Sequence, residues 1–139
     1  MSDWRGSLNP LRVFISGRIL LMKLNEIVLK EYGSYLKMKY KNKIQELKLE
    51  YCTDEHGEYI YLVLIKIKPS QKNKGYGSTI MSELIQYADL HNVRIKLWVT
   101  NIYGSDVKRL YGFYQKFGMV LIKNFNDGHM MYYPQKTKL

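Results

Sequence analysis

Apolar residues Leu24, Val28, Tyr32, Tyr35 and Leu36 recur at helical spacing with lysines between them, which predicts a helix from Leu24 to about Tyr40. Gly33 weakens its middle, so the stretch reads as one helix, whole or broken. From Ile44 the period becomes two: Leu47, Leu49 and Tyr51 fall on one side and Lys48, Glu50 and Cys52 on the other, as in a half-buried strand. Asp54-Glu55-His56-Gly57 forms a turn. Tyr59 to Lys68 is apolar until its end and predicts a central strand covered on both faces, stopping at Pro69. After the loop Ser70 to Gly77, residues Ile80, Met81, Leu84, Ile85 and Ala88 mark a helix to about His91. Val93, Ile95, Leu97 and Val99 alternate as the next strand. Leu110, Phe113, Tyr114 and Phe117 predict a second amphipathic helix from about Ser105, ended by Gly118. Met119 to Ile122 and Met130 to Tyr133 read as closing strands around the turn Asn126-Asp127-Gly128. The last strand is either an edge on which a second subunit pairs, giving a homodimer, or a strand covered internally.

A chain of 139 residues has room for one core, and no repeat, linker or low-complexity tract divides it. The formal net charge of +10 predicts attraction to polyanions: nucleic acid, acidic proteins, phosphorylated cofactors or membrane surfaces. Cys52 stands alone, which excludes an internal disulfide and supplies no metal-ligand set. The apolar run Val13 to Met22 is interrupted by Arg18, lacks a small-residue cleavage site and is too short to span a bilayer. A cytoplasmic protein with no membrane partner is expected. Met22 reads as an alternative start, so residues 1–21 are expected to be an extension and 22–139 the working domain. Residues 1–21 hold Arg5, Arg12, Arg18 and Asp3, so a net charge of +8 stays with that domain.

Lys74-Gly75-Tyr76-Gly77 lies between the buried strand and the following helix. Glycines there let backbone approach a ligand, and the first helical N–H groups, with the positive end of the helix dipole, suit a pyrophosphate. The wider segment, Pro69 to Ser78, resembles the acetyl-CoA loop of the GNAT (GCN5-related N-acetyltransferase) superfamily, R/Q-x-x-G-x-G/A, with Lys72 standing where that pattern has Arg or Gln. Phe113-Tyr114-Gln115-Lys116-Phe117-Gly118-Met119 is similar to the superfamily's L-Y-x-K-x-G-F segment, with Met119 in place of its Phe. The resemblance runs from about Ile44 to Pro134, with both motifs in the superfamily's order. The segment Asn101 to Lys108 looks longer than the common version, so a lengthened loop is expected there.

The resemblance implies a single α/β (α+β) domain, a mixed central sheet of about six strands with flanking helices. It also implies an acyltransferase in which an amine attacks the thioester of acetyl-CoA directly, without an acyl-enzyme. On that basis Lys72, Asn73, Lys74, Gly75, Tyr76, Gly77 and Ser78 hold the cofactor's phosphates. Pantetheine pairs along the strand edge at Ile65 to Ile67, and the backbone N–H of Ile67 faces the developing oxyanion. Tyr114 takes the place of the superfamily's tyrosine acid, since a phenol with an ordinary pKa of about 10 stays protonated at neutral pH and can donate to a thiolate. Tyr111, one turn away, is the alternate, and a plain core role is the competing reading for Tyr114. The base is open: Glu50 and Glu58 could act through water, though each also reads as a solvated strand residue.

Other candidates carry less chemistry. No histidine is positioned to activate Cys52, which reads as a packed thiol. His56, His91 and His129 have no metal-ligand spacing and read as surface residues. Lys37, Lys39, Lys41 and Lys43, interleaved with Tyr35 and Tyr40, are either a solvated helix face or a nucleic-acid surface. In the resembling superfamily this region shapes the acceptor site, so a basic rim there favours an acidic acceptor amine, RNA-linked ones included. The rival function is a catalytically idle domain that binds nucleic acid or protein through the same surface.

Overall fold

A computed structural model of the chain describes residues 23–100, 106–122 and 128–135, and the backbone of 12–15 and 18–21. The elements are β1 (Arg12–Ile15), β2 (Arg18–Leu21), α1 (Glu26–Lys39), β3 (Ile44–Asp54), β4 (Gly57–Ile67), α2 (Tyr76–His91), β5 (Arg94–Trp98), α3 (Val107–Gln115), β6 (Val120–Leu121) and β7 (His129–Tyr132). A short 3₁₀ turn, Pro69–Gln71, follows β4. β1 and β2 form a separate two-stranded antiparallel sheet.

Among the described residues the main sheet has five strands in the order β3-β4-β5-β7-β6, in keeping with the mixed sheet of about six expected. β3 runs antiparallel to β4, β4 parallel to β5, and β7 antiparallel to both β5 and β6. The mixed α/β architecture is as expected from the sequence. β7 is an interior strand, so it offers no free edge to a second subunit; among the described residues the sheet ends at β3 and β6.

Element types follow the hydrophobic periods, with ends moved by local chemistry. α1 starts one residue after Asn25, whose side chain accepts the Val28 N–H at 2.9 Å, and it runs unbroken through Gly33. That glycine is tolerated because α1 packs Val28, Leu29, Tyr32 and Leu36 into the core, and tertiary burial outweighs a local propensity of about 1 kcal/mol. β3 and β4 extend to Asp54 and Gly57, forming a hairpin closed by Arg94, which donates to Asp54 at 2.6 and 2.8 Å and to the Gly57 carbonyl at 3.0 Å. The loop expected at 101–108 and the turn at Asn126-Asp127 lie largely outside the described residues.

The core lies between the sheet and the α1–α2 pair. Ile60 and Ile95 are fully buried, as are Met81, Tyr87 and Ala88 of α2. Tyr32 of α1 stacks on Tyr87 with ring centroids 3.7 Å apart, locking the helices together; such pairs are worth about 1 kcal/mol beyond area burial. At the other end of α1, Lys39 pairs with Glu83 at 2.9 Å, and the Tyr40 hydroxyl donates to the same carboxylate.

Candidate active site

Two features of the sheet make a cleft. β4 pairs with β5 only from Tyr59↔Arg94 to Leu62↔Leu97, yet continues to Ile67. On its other edge β4 stays paired with β3, but Leu62 faces Leu49 and Leu64 faces Lys48, so Val63 is the extra residue of a β-bulge. A bulge bends and twists its strand. It falls where the β4–β5 pairing ends, and among the described residues no strand pairs with the β5-facing edge from Val63 to Ile67. The Lys68 N–H donates to the Lys43 carbonyl, toward β3, at 2.8 Å. Because successive residues of a strand alternate in direction, the N–H groups of Lys66 and Lys68 face β3, and those of Ile65 and Ile67 face the open edge.

The loop Lys72 to Gly75 follows at the end of this edge. Asn73 has φ +64 and Gly75 φ +83, so the chain turns sharply through the left-handed region twice before α2 begins. Asparagine and glycine are the residues that tolerate this. Gly75 is the N-cap of α2 and provides no capping side chain, whereas α1 and α3 are capped by Asn25 and Asp106. The Thr79 N–H reaches back to the Gly75 carbonyl at 3.0 Å. The N–H groups of Tyr76, Gly77 and Ser78 precede that first intrahelical bond and have no partner within the helix. A Cβ built on Gly75 meets nothing within 4 Å, so the space beside this N-cap is open. Lys72, Asn73 and Lys74 are all exposed. The donors, the dipole and the open space fit a phosphate group.

α3 comes to the same corner. The Phe113 ring tip lies 3.7 Å from the Cβ position of Gly77, and Tyr114 packs edge-on to Phe113 with centroids 5.1 Å apart. Tyr114 is half-buried, and burial pushes its phenol pKa above the ordinary value. It therefore stays protonated over a wider pH range than a free phenol. The Tyr111 hydroxyl instead lies beside Gly128, 3.3 Å from where a Cβ would stand, next to the β5–β7 junction.

Glu50 and Glu58 are engaged elsewhere. Glu50 is about half exposed, with Lys48 Nζ 3.9 Å away. It lines a groove of about 510 Å³ between α1 and β3, together with Glu26, Lys30, Lys37 and Cys52. Glu58 accepts the Tyr51 hydroxyl at 2.9 Å. The groove is walled by α1 and the outer strand β3, and its lining does not include the loop or the β4 edge. Sequence reasoning had no signal for the Val63 bulge, because an inserted residue inside an apolar run leaves the composition unchanged.

The site is therefore a parallel pairing that ends at a bulge, followed by an uncapped helix N-terminus. The chain belongs to the acetyltransferase (GNAT) family, whose profile matches residues 27–119. Acetyl-CoA is the co-substrate of such enzymes. A comparison with curated proteins finds no match. Among solved structures the chain is similar to Arabidopsis thaliana Naa50 in complex with the bisubstrate analogue CoA-Ac-MVNAL, at 14% identity and a TM-score of 0.46, covering 79% of this chain and 93% of that one. It is also similar to a mutant of the toxin AtaT bound to the C-terminus of the antitoxin AtaR and acetyl-CoA, at 12% identity and a TM-score of 0.43, covering 63% of this chain and 55% of that one. The chain thus spans about half the length of the toxin. Both likenesses are distant. Among the described residues no helix is long and apolar enough to cross a membrane.

Proposed function

We propose that the chain is an acetyl-CoA-dependent N-acetyltransferase that moves an acetyl group to a primary amine by direct attack on the thioester. The observation that carries this reading is the meeting of the open β4 edge with the uncapped start of α2. When bound, acetyl-CoA supplies an acyl group already activated as a thioester. The N–H groups of Tyr76, Gly77 and Ser78, with Lys72, Asn73 and Lys74, hold its phosphates. The backbone of Ile65 and Ile67 holds the pantetheine arm, and the Ile67 N–H donates to the carbonyl oxygen as charge develops there. Tyr114 gives its proton to the departing sulfur as the C–S bond breaks and the N–C bond forms. The amine loses its own proton to water.

The exposed lysines Lys37 and Lys41, at the end of α1 and just after it, support an acceptor that carries negative charge. The test is thiol release from acetyl-CoA in the presence of an amine panel that includes acidic peptides and aminoacylated RNA. Tyr114→Phe should lower kcat by at least about a hundredfold with the Kd for acetyl-CoA unchanged. Equal kcat in the variant would remove Tyr114 as the acid. One observation favours an idle binding domain instead: both candidate bases, Glu50 and Glu58, are engaged away from the cleft. Salt-sensitive nucleic-acid binding without acetyl-CoA binding would support that reading.

A further inference from the structure

We propose that Lys43, which lies outside both sequence motifs, is a phosphate-binding residue of the acetyl-CoA site. This rests on the loop being that site. Lys43 comes from the turn between α1 and β3, some thirty residues before the loop, yet it is fixed against the loop at both of its ends. Its ammonium sits 4.9 Å from the centroid of the Tyr76 ring, the first residue of α2, and 3.4 Å from Gln71 Oε1, the last residue before the loop. Its carbonyl accepts the Lys68 N–H at 2.8 Å, which ties its backbone to the end of β4.

The turn that carries Lys43 is itself held. The N–H groups of Lys43 and Ile44 both donate to the Tyr40 carbonyl at 2.8 Å. The Tyr40 hydroxyl and Lys39 Nζ both bind Glu83 of α2. The half-buried Lys43 side chain is therefore oriented before any ligand arrives, and little rotamer freedom is left to lose on binding.

Its partners are what point to an anion. Lys39 is neutralised by Glu83, but among the described residues no carboxylate lies within salt-bridge distance of Lys43. A neutral amide oxygen and an aromatic face orient an ammonium without cancelling its charge. That charge stands beside the positive end of the α2 dipole, an arrangement that is mildly repulsive until an anion sits between them. A lysine kept for stability alone would be better placed at a helix C-terminus or next to an acid. The group recognised is a phosphate of the cofactor, either the pyrophosphate or the ribose 3′-phosphate.

The experiment is calorimetric titration of the full chain, Lys43→Met and Lys43→Arg with acetyl-CoA and with its 3′-dephospho form, alongside melting of each protein without ligand. Expected for Lys43→Met is a loss of affinity of about tenfold or more, since a hydrogen bond to a charged group is removed. The melting temperature without ligand should be unchanged or slightly higher, and Lys43→Arg should recover most of the affinity. A penalty that persists with the 3′-dephospho form assigns Lys43 to the pyrophosphate; one that disappears assigns it to the 3′-phosphate. Wild-type affinity in Lys43→Met would overturn the inference while leaving the site intact, as would an affinity loss that tracks a fall in melting temperature and is not recovered by arginine. No binding by the wild type would overturn the reading of the loop and this inference with it.

Discussion

Two glycines allow the role of the loop to be separated from its backbone geometry. Gly75 has φ +83 and Gly57 has φ +110, and a Cβ built on either meets nothing within 4 Å. Alanine at each site therefore brings backbone strain without a clash. That strain is roughly 1–2 kcal/mol, and the reduced freedom of the unfolded chain offsets about 0.4–1 kcal/mol of it. Each variant should then be less stable by about 1 kcal/mol, lowering Tm by about 3 °C for a chain of this size. Ligand should separate them. Acetyl-CoA at a hundredfold excess over its Kd stabilises a protein by about 2.7 kcal/mol, or about 9 °C here. Gly57 lies at the hairpin end of β4, so Gly57→Ala should keep this shift. Gly75→Ala puts a methyl group in the open space at the N-cap of α2 and strains the turn from which the N–H donors start, and should lose most of it. Differential scanning calorimetry of the three proteins with and without acetyl-CoA is the assay. Equal ligand shifts in both variants would refute the assignment of that space to phosphate, and a shift in none would refute the cofactor itself.

Three further predictions concern stability. The Tyr87 hydroxyl is buried with no hydrogen-bond partner among the described residues, so Tyr87→Phe should raise stability by about 1 kcal/mol, read by urea melts; a loss would mean that the hydroxyl is satisfied in solution. Burial pushes the His91 pKa below its ordinary value, so the unfolded chain binds more protons just below pH 6.5; stability should fall as pH drops through that window, and His91→Gln should flatten the fall. Hydrogen bonds from Arg94 hold the Asp54 carboxyl down at about 2, so the stability it lends is complete above the ordinary carboxylate pKa and disappears as pH falls toward that value; Asp54→Asn should show a shallower acid limb in pH-dependent melts.

The sequence carried the element types and the loop, because both depend on local chemistry. The helical spacing of Val28, Tyr32 and Leu36, the alternation through Leu47, Leu49 and Tyr51, and the apolar run ending at Pro69 each fix an element without reference to distant residues. The pair of glycines at 75 and 77 marks a backbone that must turn tightly ahead of a helix. What depends on pairing was hidden. The end of β4–β5 contact at Leu62, the bulge at Val63 and the interior position of β7 are properties of partner strands, not of any one run of residues. Gly33 does not break α1 because buried neighbours hold the helix together. The approach of Lys43 to Tyr76 is a contact between segments far apart in the chain, to which periodicity is blind.

The central claim is that the open edge of β4 and the first turn of α2 form one binding surface for acetyl-CoA. Amide NMR of the ¹⁵N-labelled chain during titration with acetyl-CoA tests it most directly, since the groups claimed to bind are backbone N–H donors. The account predicts saturable shifts that are largest at Ile65, Ile67, Tyr76, Gly77 and Ser78, and small along the groove between α1 and β3. No shifts at millimolar cofactor, or shifts concentrated at Lys48, Glu50 and Cys52 in that groove, would contradict it.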